Sequence, residues 1–150
     1  MTSWSDRRRV LGIDPGTRRI GVAIGVGSVA SPLTVIERGR SLDEALRRLA
    51  DLIAEEEVER VVMGLPIGLD GTEGAAARAA RDVARRLARF TTVPVEFHDE
   101  RLTTVTADRA MLAAGLRAEE RRRAVDKVAA AVMLQSWLDS QRGAGDDHAQ

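Results

Sequence analysis

Residues 10–26 read VLGIDPGTRRIGVAIGV, and this stretch decides the fold. Residues 10–14 are typical of a short buried strand, and Pro15, Gly16 and Thr17 supply the small, kinked residues of a turn. In residues 20–26 large apolar side chains alternate with glycine and alanine, which is the two-residue period of a strand. The stretch therefore predicts a β-hairpin.

Outward from the hairpin, the pattern alternates between short apolar runs and amphipathic stretches. It predicts strands over 33–36, 61–63 and 93–97, and helices over 41–53, 76–87, 104–114 and 125–139. The first helix opens with the capping box Ser41 to Glu44. A loop over 115–123 joins the last two helices, and a flexible tail over 143–150 follows an ordered core of about 9–140. This order predicts one α/β domain over 1–150, with a mixed five-stranded sheet (antiparallel hairpin meander plus parallel strands) and helices on both faces.

Composition excludes several classes of function. The 150 residues include 23 basic and 23 acidic side chains, so bulk charge cannot attract nucleic acid or a membrane, and any phosphate attraction must be local. The absence of cysteine excludes disulfides, zinc-thiolate clusters and thiol nucleophiles. The longest apolar run, 128–134, is too short to span a bilayer, so a soluble chain without membrane contact is expected.

Acidic residues lie at the expected carboxyl ends of two parallel strands and near the start of the last predicted helix. Asp14 closes the first strand, Asp99 and Glu100 follow the fifth, and Asp126 is expected in the first turn of the last helix, where the macrodipole favours its ionised form. Carboxyl ends of parallel strands share one edge of an open sheet, where ligands bind. Singly, Asp14 also fits a turn residue and Asp126 an ordinary helix cap.

Three carboxylates at one edge would repel each other unless a cation neutralised them. Oxygen ligands favour Mg²⁺ or Mn²⁺, and two such ions about 4 Å apart can promote phosphodiester hydrolysis. The pattern therefore predicts a metal site at this edge.

Four motifs, in order, resemble one known family. They are GIDPGTRRIGVA at 12–23, GLP at 64–66 with DGT at 70–72, DERLTT at 99–104, and DK at 126–127 with AA at 129–130 and LQ at 134–135. Together they resemble the YqgF (RuvX) family of bacterial proteins similar to Holliday junction resolvases, over roughly residues 9–138. Two positions depart from the family pattern: Gly68 stands where an asparagine is common, and Pro15 resembles RuvC instead.

The resemblance implies an RNase H-like nuclease fold, with Asp14, Glu100 and Asp126 as catalytic residues and ligands of Mg²⁺ or Mn²⁺. It also implies a cytoplasmic endonuclease that acts in 5′-end maturation of pre-16S rRNA. Its partner would then be nucleic acid, either structured RNA such as pre-rRNA or branched DNA, and the protein would be a monomer or a homodimer.

Basic and hydroxyl side chains near the carboxylates are candidates for phosphate contacts. They are Thr17, Arg19, Arg101, Thr103, Thr104, Arg121, Arg122 and Arg123. Thr103 or Thr104 also fits a helix N-cap, and the turn residues also fit ordinary turn chemistry. His98 is expected to be structural, because hard metals seldom choose imidazole. The arginine stripe 78, 81, 85 and 89 is expected to be a solvated helix face.

The sequence also fits three alternative functions. Resolution of DNA junctions needs a dimer, and the RuvC pattern takes a second carboxylate from the fourth strand, which here ends in Gly64-Leu65-Pro66. The DPGT turn also resembles the phosphate loop of sugar kinases and actin-like ATPases, but those proteins close two such domains over a nucleotide. The last alternative is a noncatalytic nucleic-acid or ribosome-assembly module.

Overall fold

The computed structural model describes residues 8–99 and 118–149. Its strands are β1 (Arg9–Pro15), β2 (Arg19–Val26), β3 (Val29–Glu37), β4 (Arg60–Leu65) and β5 (Val95–Asp99). Its helices are α1 (Leu42–Glu55), α2 (Ala75–Leu87) and α3 (Ala118–Ala149). The predicted helix over 104–114 lies outside the described residues. Among the described helices, none combines the length and apolarity needed to cross a bilayer.

The five strands form one sheet in the order β3-β2-β1-β4-β5. β1 pairs antiparallel with β2 and parallel with β4, β2 pairs antiparallel with β3, and β4 pairs parallel with β5. The predicted mixed sheet is confirmed. Since β1, β4 and β5 run in the same direction, their carboxyl ends lie along one edge.

The two faces of the sheet carry different packing. On one face, large side chains such as Leu11, Ile13 and Met63 pack against α1 and α2. On the other face, Val10, Ala23 and Val62 pack against α3, which contributes Leu134 and Trp137. Most of the residues that β1 and β2 present to α3 are glycine or alanine, and atoms of α3 approach closely at Gly12, Gly21 and Gly25.

Helix α1 follows the predicted pattern. Ala45, Leu46, Leu49 and Ile53 are buried, and Ser41 Oγ accepts a hydrogen bond of 3.3 Å from the backbone N–H of Glu44. The period of 3.6 residues is unambiguous here because charged residues fill the opposite face.

Strand β3 is longer than predicted, since it covers Val29–Glu37 rather than 33–36. Pro32 lies inside it. The pairing register with β2 shifts between Val22 and Ala23, so one extra β3 residue bulges there. An edge strand with a bulge tolerates proline because the missing N–H has no sheet partner to lose.

Helix α3 corrects two expectations. The predicted loop over 115–123 is helical from Ala118 onward, because the charged residues after Ala118 are strong helix formers although they carry no apolar stripe. The helix also continues through the predicted tail to Ala149. The apolar spacing of 125–139 predicts a packing stripe of Val125, Val128, Ala129, Val132 and Met133. Met133 is fully buried as predicted, whereas the other four are only half-buried, and Leu134, outside that stripe, is fully buried.

Candidate active site

The end of β1 directs Asp14 toward α3. Val10 packs in the α3 cluster, and a Cβ added at Gly12 would meet the side chain of Leu134. Alternate residues of a strand point to the same face, so Asp14 belongs to the α3 face. Its neighbour across the β1–β2 ladder is Gly21, which faces the same way.

Gly21 brings the main chain of α3 onto the sheet. A Cβ at this position would collide with the backbone carbonyl oxygen of Asp126 and would lie 2.7 Å from its carbonyl carbon. Only glycine permits this approach, which is a common reason for glycine inside a strand. Because Gly21 is the ladder partner of Asp14, the backbone of Asp126 lies beside Asp14. The structure thus brings two of the three predicted carboxylate residues together.

The carboxylate of Asp126 is paired with Arg19. Oδ2 of Asp126 accepts a hydrogen bond of 2.7 Å from Nε of Arg19, and the two side chains are only 27% and 24% exposed, respectively. The expectation that Asp126 lies in the first helical turn is wrong, because α3 begins at Ala118, more than two turns earlier. The helix dipole acts mainly within the first turn, so the guanidinium is the local positive charge here.

The turn between β1 and β2 is braced by a residue that sequence reasoning missed. Nη1 of Arg38 donates to the carbonyl oxygen of Gly16 at 2.9 Å, and its backbone N–H donates to that of Arg18 at 3.0 Å. Thr17, a predicted phosphate contact, is exposed in this braced turn. No local pattern marks Arg38, because its partners lie about twenty residues earlier in the chain.

Near the end of β5, successive side chains point to opposite faces of the sheet, so neighbouring polar residues lie on different faces. Trp137 Nε1 donates to Glu96 at 3.1 Å, and His98 Nε2 shares a hydrogen bond of 3.0 Å with Ser136 Oγ, so both strand residues face α3. Burial lowers the pKa of His98, against the raising effect of the carboxylates of Asp99 and Glu96. These contacts favour the structural role expected for His98.

Several predicted site residues lie outside the described part of the chain. They are Glu100, Arg101, Thr103 and Thr104. Glu100 follows Glu96 and His98 at the next even position of the sequence, immediately after the end of β5.

The arginine run before Asp126 belongs to α3 rather than to a loop. Nη2 of Arg123 lies 3.0 Å from Oε1 of Glu37, and both side chains are about half exposed. Arg122 is exposed, and the side chain of Arg121 is not among those that the structure describes. Glu37 is the ladder partner of Arg19 across β2 and β3, so these charges adjoin the Arg19–Asp126 pair.

Gly68, which departs from the family pattern, lies in the loop after β4. A Cβ at Gly68 would lie 2.9 Å from Oδ1 of Asp70, which accepts hydrogen bonds from the hydroxyl and backbone N–H of Thr72. These hydrogen bonds, that of the hydroxyl foremost, lower the pKa of the exposed Asp70 carboxyl. A side chain at position 68 therefore requires Asp70 or Thr72 to move. β4 itself ends at Leu65 without an acidic residue.

The donor set suits a hard divalent cation, although it is incomplete. Asp14 and Asp126 supply carboxylate oxygens at the same sheet edge, and the position of Arg19 shows that Asp126 already accepts a cationic partner. Within 8–99 and 118–149, no three histidine, cysteine, aspartate or glutamate residues are grouped closely enough to hold a metal. The third predicted ligand, Glu100, is not among those residues.

Comparison with known proteins gives a consistent set of relatives. The model of the family described as "RuvX: Holliday junction resolvase" matches residues 8–140. A protein of Mycobacterium sp. (strain KMS) named "Putative pre-16S rRNA nuclease" is 48% identical over 141 residues, covering 92% of this chain and 83% of that protein. A protein of Myxococcus xanthus with the same name is 44% identical and covers 93% of each chain.

A solved structure shows the same architecture. RuvC of Thermus thermophilus, in complex with a Holliday junction substrate, superposes with a TM-score of 0.57 at 18% identity, covering 91% of this chain and 97% of that chain. At this identity the likeness shows the fold alone, and that fold is RNase H-like. The family model covers most of the chain, and the relatives above share more than 40% identity with it. This chain belongs to the RuvX family of nucleases.

Proposed function

We propose that this chain is a metal-dependent endonuclease that hydrolyses phosphodiester bonds in 5′-end maturation of pre-16S rRNA, in the cytoplasm. The observation that carries the proposal is the convergence of Asp14 and Asp126 on one sheet edge, made possible by Gly21. Relatives at 44–49% identity that bear the pre-16S rRNA nuclease name support this choice of substrate.

In this proposal Asp14, Glu100 and Asp126 hold Mg²⁺ or Mn²⁺, with two ions per site. When bound, these ions neutralise charge on the phosphate, activate water and stabilise the leaving oxygen. The fit rests on oxygen donors at one edge and on a part-buried carboxylate with a cationic partner.

The basic and hydroxyl residues around the edge would orient the substrate. Thr17 is exposed on a turn that Arg38 holds in place, and Arg122 is exposed on α3, one turn before Asp126. Such groups neutralise phosphates locally, which suits a chain without net charge. We assign the same role to Arg19, Arg101, Thr103, Thr104, Arg121 and Arg123.

The decisive experiment compares cleavage of a pre-16S 5′-leader RNA by the wild type and by Asp14→Asn, with Mg²⁺, Mn²⁺ or a chelator. We expect chelation and Asp14→Asn each to abolish cleavage, while circular dichroism and melting show an intact fold. Asp51→Asn is the matched control, because Asp51 is exposed on α1, on the opposite face of the sheet. Undiminished cleavage by Asp14→Asn would remove that residue from the mechanism.

Junction resolution is the second candidate, and the description of the family model favours it. Symmetric cutting of two strands requires a homodimer, whereas RNA cleavage is open to a monomer. A four-way DNA junction assayed beside the leader RNA, with the mass of the protein measured in solution, separates the two functions. Binding of RNA without cleavage of either substrate would instead support a noncatalytic assembly module.

A further inference from the structure

The Arg19–Asp126 pair joins residues that are 107 positions apart in sequence, at the point where α3 meets β2. About three quarters of each side chain is covered, and the bond uses Nε of the guanidinium at 2.7 Å. A pair so placed is stronger than a surface ion pair, because water screens it less.

A divalent cation would have to compete with Arg19 for the carboxylate of Asp126. Glu37, the ladder partner of Arg19, is engaged by Arg123 at 3.0 Å. Asp126 therefore has a cationic partner in Arg19, and the nearby Glu37 has one in Arg123. A divalent cation that uses Asp126 must share or replace the interaction with this guanidinium.

We propose that Arg19 is a built-in counter-cation of Asp126 that a divalent cation displaces, so that metal uptake is an exchange of guanidinium for metal. This inference rests on the proposed function, because it assigns Asp126 to the metal site. Arg19 is then a positioning residue: it holds Asp126 in place before the metal binds. Once displaced, it becomes available to the phosphate of the nucleic acid at the same edge.

The exchange of Arg19 for a metal and a supporting role of Arg19 predict opposite effects of its removal on metal affinity. If Arg19 competes with the metal, Arg19→Gln tightens metal binding, by roughly threefold to tenfold for a pair of this exposure. If Arg19 merely orients Asp126 for the metal, the same substitution weakens binding.

The test is calorimetric titration of the protein with MnCl₂ alone, in the absence of nucleic acid. The variants are Arg19→Gln, Arg18→Gln and Asp126→Asn. Arg18→Gln is the matched control, because it removes the same charge from the neighbouring, exposed position of the turn. We expect Arg19→Gln to bind Mn²⁺ more tightly, Arg18→Gln to bind it as the wild type does, and Asp126→Asn to bind it at least tenfold more weakly.

Two further measurements follow the exchange directly. The melting temperature of Arg19→Gln in EDTA falls below that of the wild type, and saturating Mn²⁺ raises it by more than it raises the wild type. Addition of diamagnetic Mg²⁺ shifts the ¹⁵N-resolved Nε–H signal of Arg19 as its partner changes. An Arg19 signal unmoved at saturating Mg²⁺ would contradict the exchange.

The outcomes distinguish this inference from the proposed function. Weaker or unchanged Mn²⁺ binding by Arg19→Gln, with binding still lost in Asp126→Asn, overturns the exchange and leaves the metal site intact. Equal tightening by Arg18→Gln also overturns it, since bulk charge then explains the effect. If the wild type takes up no Mn²⁺, or Asp126→Asn binds it equally well, both the inference and the proposed metal site fail.

Discussion

Gly21 is the residue whose replacement most directly tests the geometry of the candidate site. In Gly21→Ala the new Cβ would collide with the carbonyl oxygen of Asp126 and lie 2.7 Å from the carbonyl carbon. These are main-chain atoms of a helix, which cannot rotate away as a side chain can. We expect the free energy of unfolding to fall by about 1–3 kcal/mol, the usual cost of overpacking a close-packed interior.

The matched control is Gly25→Ala, on the same strand and the same face. There the new Cβ would meet the ends of two flexible side chains, at 3.2 Å from Leu138 Cδ1 and 3.3 Å from Leu134 Cδ2. Both can shift by a few tenths of an ångström, so we expect a loss below about 1 kcal/mol. The difference between the two variants isolates the backbone contact from the general effect of adding a methyl group.

The assay combines thermal melting with cleavage of the leader RNA. A loss of about 2 kcal/mol lowers the melting temperature by roughly 4–8 °C in a chain of this length. Gly21→Ala should also lose cleavage at temperatures where it remains folded, because α3 carries Asp126 away from Asp14. If Gly21→Ala melts together with Gly25→Ala and cleaves as the wild type does, Asp126 does not rest on β2 as described.

Three further predictions concern stability and titration. Thr72→Val removes the hydroxyl hydrogen bond that most strongly lowers the pKa of Asp70, so a carboxyl ¹³C NMR titration should show that pKa rising toward its usual value. Because the pKa of Asp70 is lowered in the folded state, this hydrogen bond stabilises the loop at pH values above the usual carboxyl pKa, and the stabilisation is lost as the pH falls through the folded pKa. An unmoved pKa would contradict this cause. Gln135→Ala removes the side-chain amide that accepts a hydrogen bond from Ala30 N–H and donates one to Ser28 C=O, at 2.9 Å each. The free energy of unfolding in urea should fall by about 1–2 kcal/mol, and hydrogen exchange of the Ala30 amide should become faster. Unchanged exchange at Ala30 would refute this role. Ser41→Ala removes the N-cap of α1 and should cost about 1 kcal/mol, whereas Ser41→Asp should retain most of it; equal losses in both would exclude capping as the cause.

The elements that the sequence predicts well are those with unambiguous periodicity. The predicted hairpin and α1 are confirmed. Apolar residues recur every two positions in the hairpin strands and every 3.6 positions in α1, and each period fits only one type of secondary structure. In α2 the spacing of apolar residues predicts a buried stripe of Ala76, Ala79, Ala80, Val83, Ala84 and Leu87. The last four are buried, but Ala76 and Ala79 are exposed and Ala77 is buried instead. A run of alanines does not distinguish one helix face from another, so only the packing of the helix against the sheet decides which residues are buried.

For the site, local pattern places Asp14 at the correct strand end but does not show what surrounds it. The glycines at alternate positions of β2 are the one signal that could have indicated close approach of another main chain. The contact between Arg19 and Asp126 had no such signal, since it depends on how a helix near the end of the chain packs on the second strand. The start of α3 was missed for a related reason: its first turns are charged, and hydrophobic periodicity says nothing about them.

The glycine-lined face of β1 and β2 has a consequence for how the protein can vary. At Gly21 no side chain separates β2 from α3, so the spacing of the two main chains beside Asp14 is set by direct backbone contact and not by the size of an intervening side chain. Residues on the α1 and α2 face can therefore exchange size and shape, in evolution or by design, without retuning the distance between the two acids. Divergence among functional homologues should accordingly concentrate on that side of the sheet, while the helix-bearing side keeps its smallest residues.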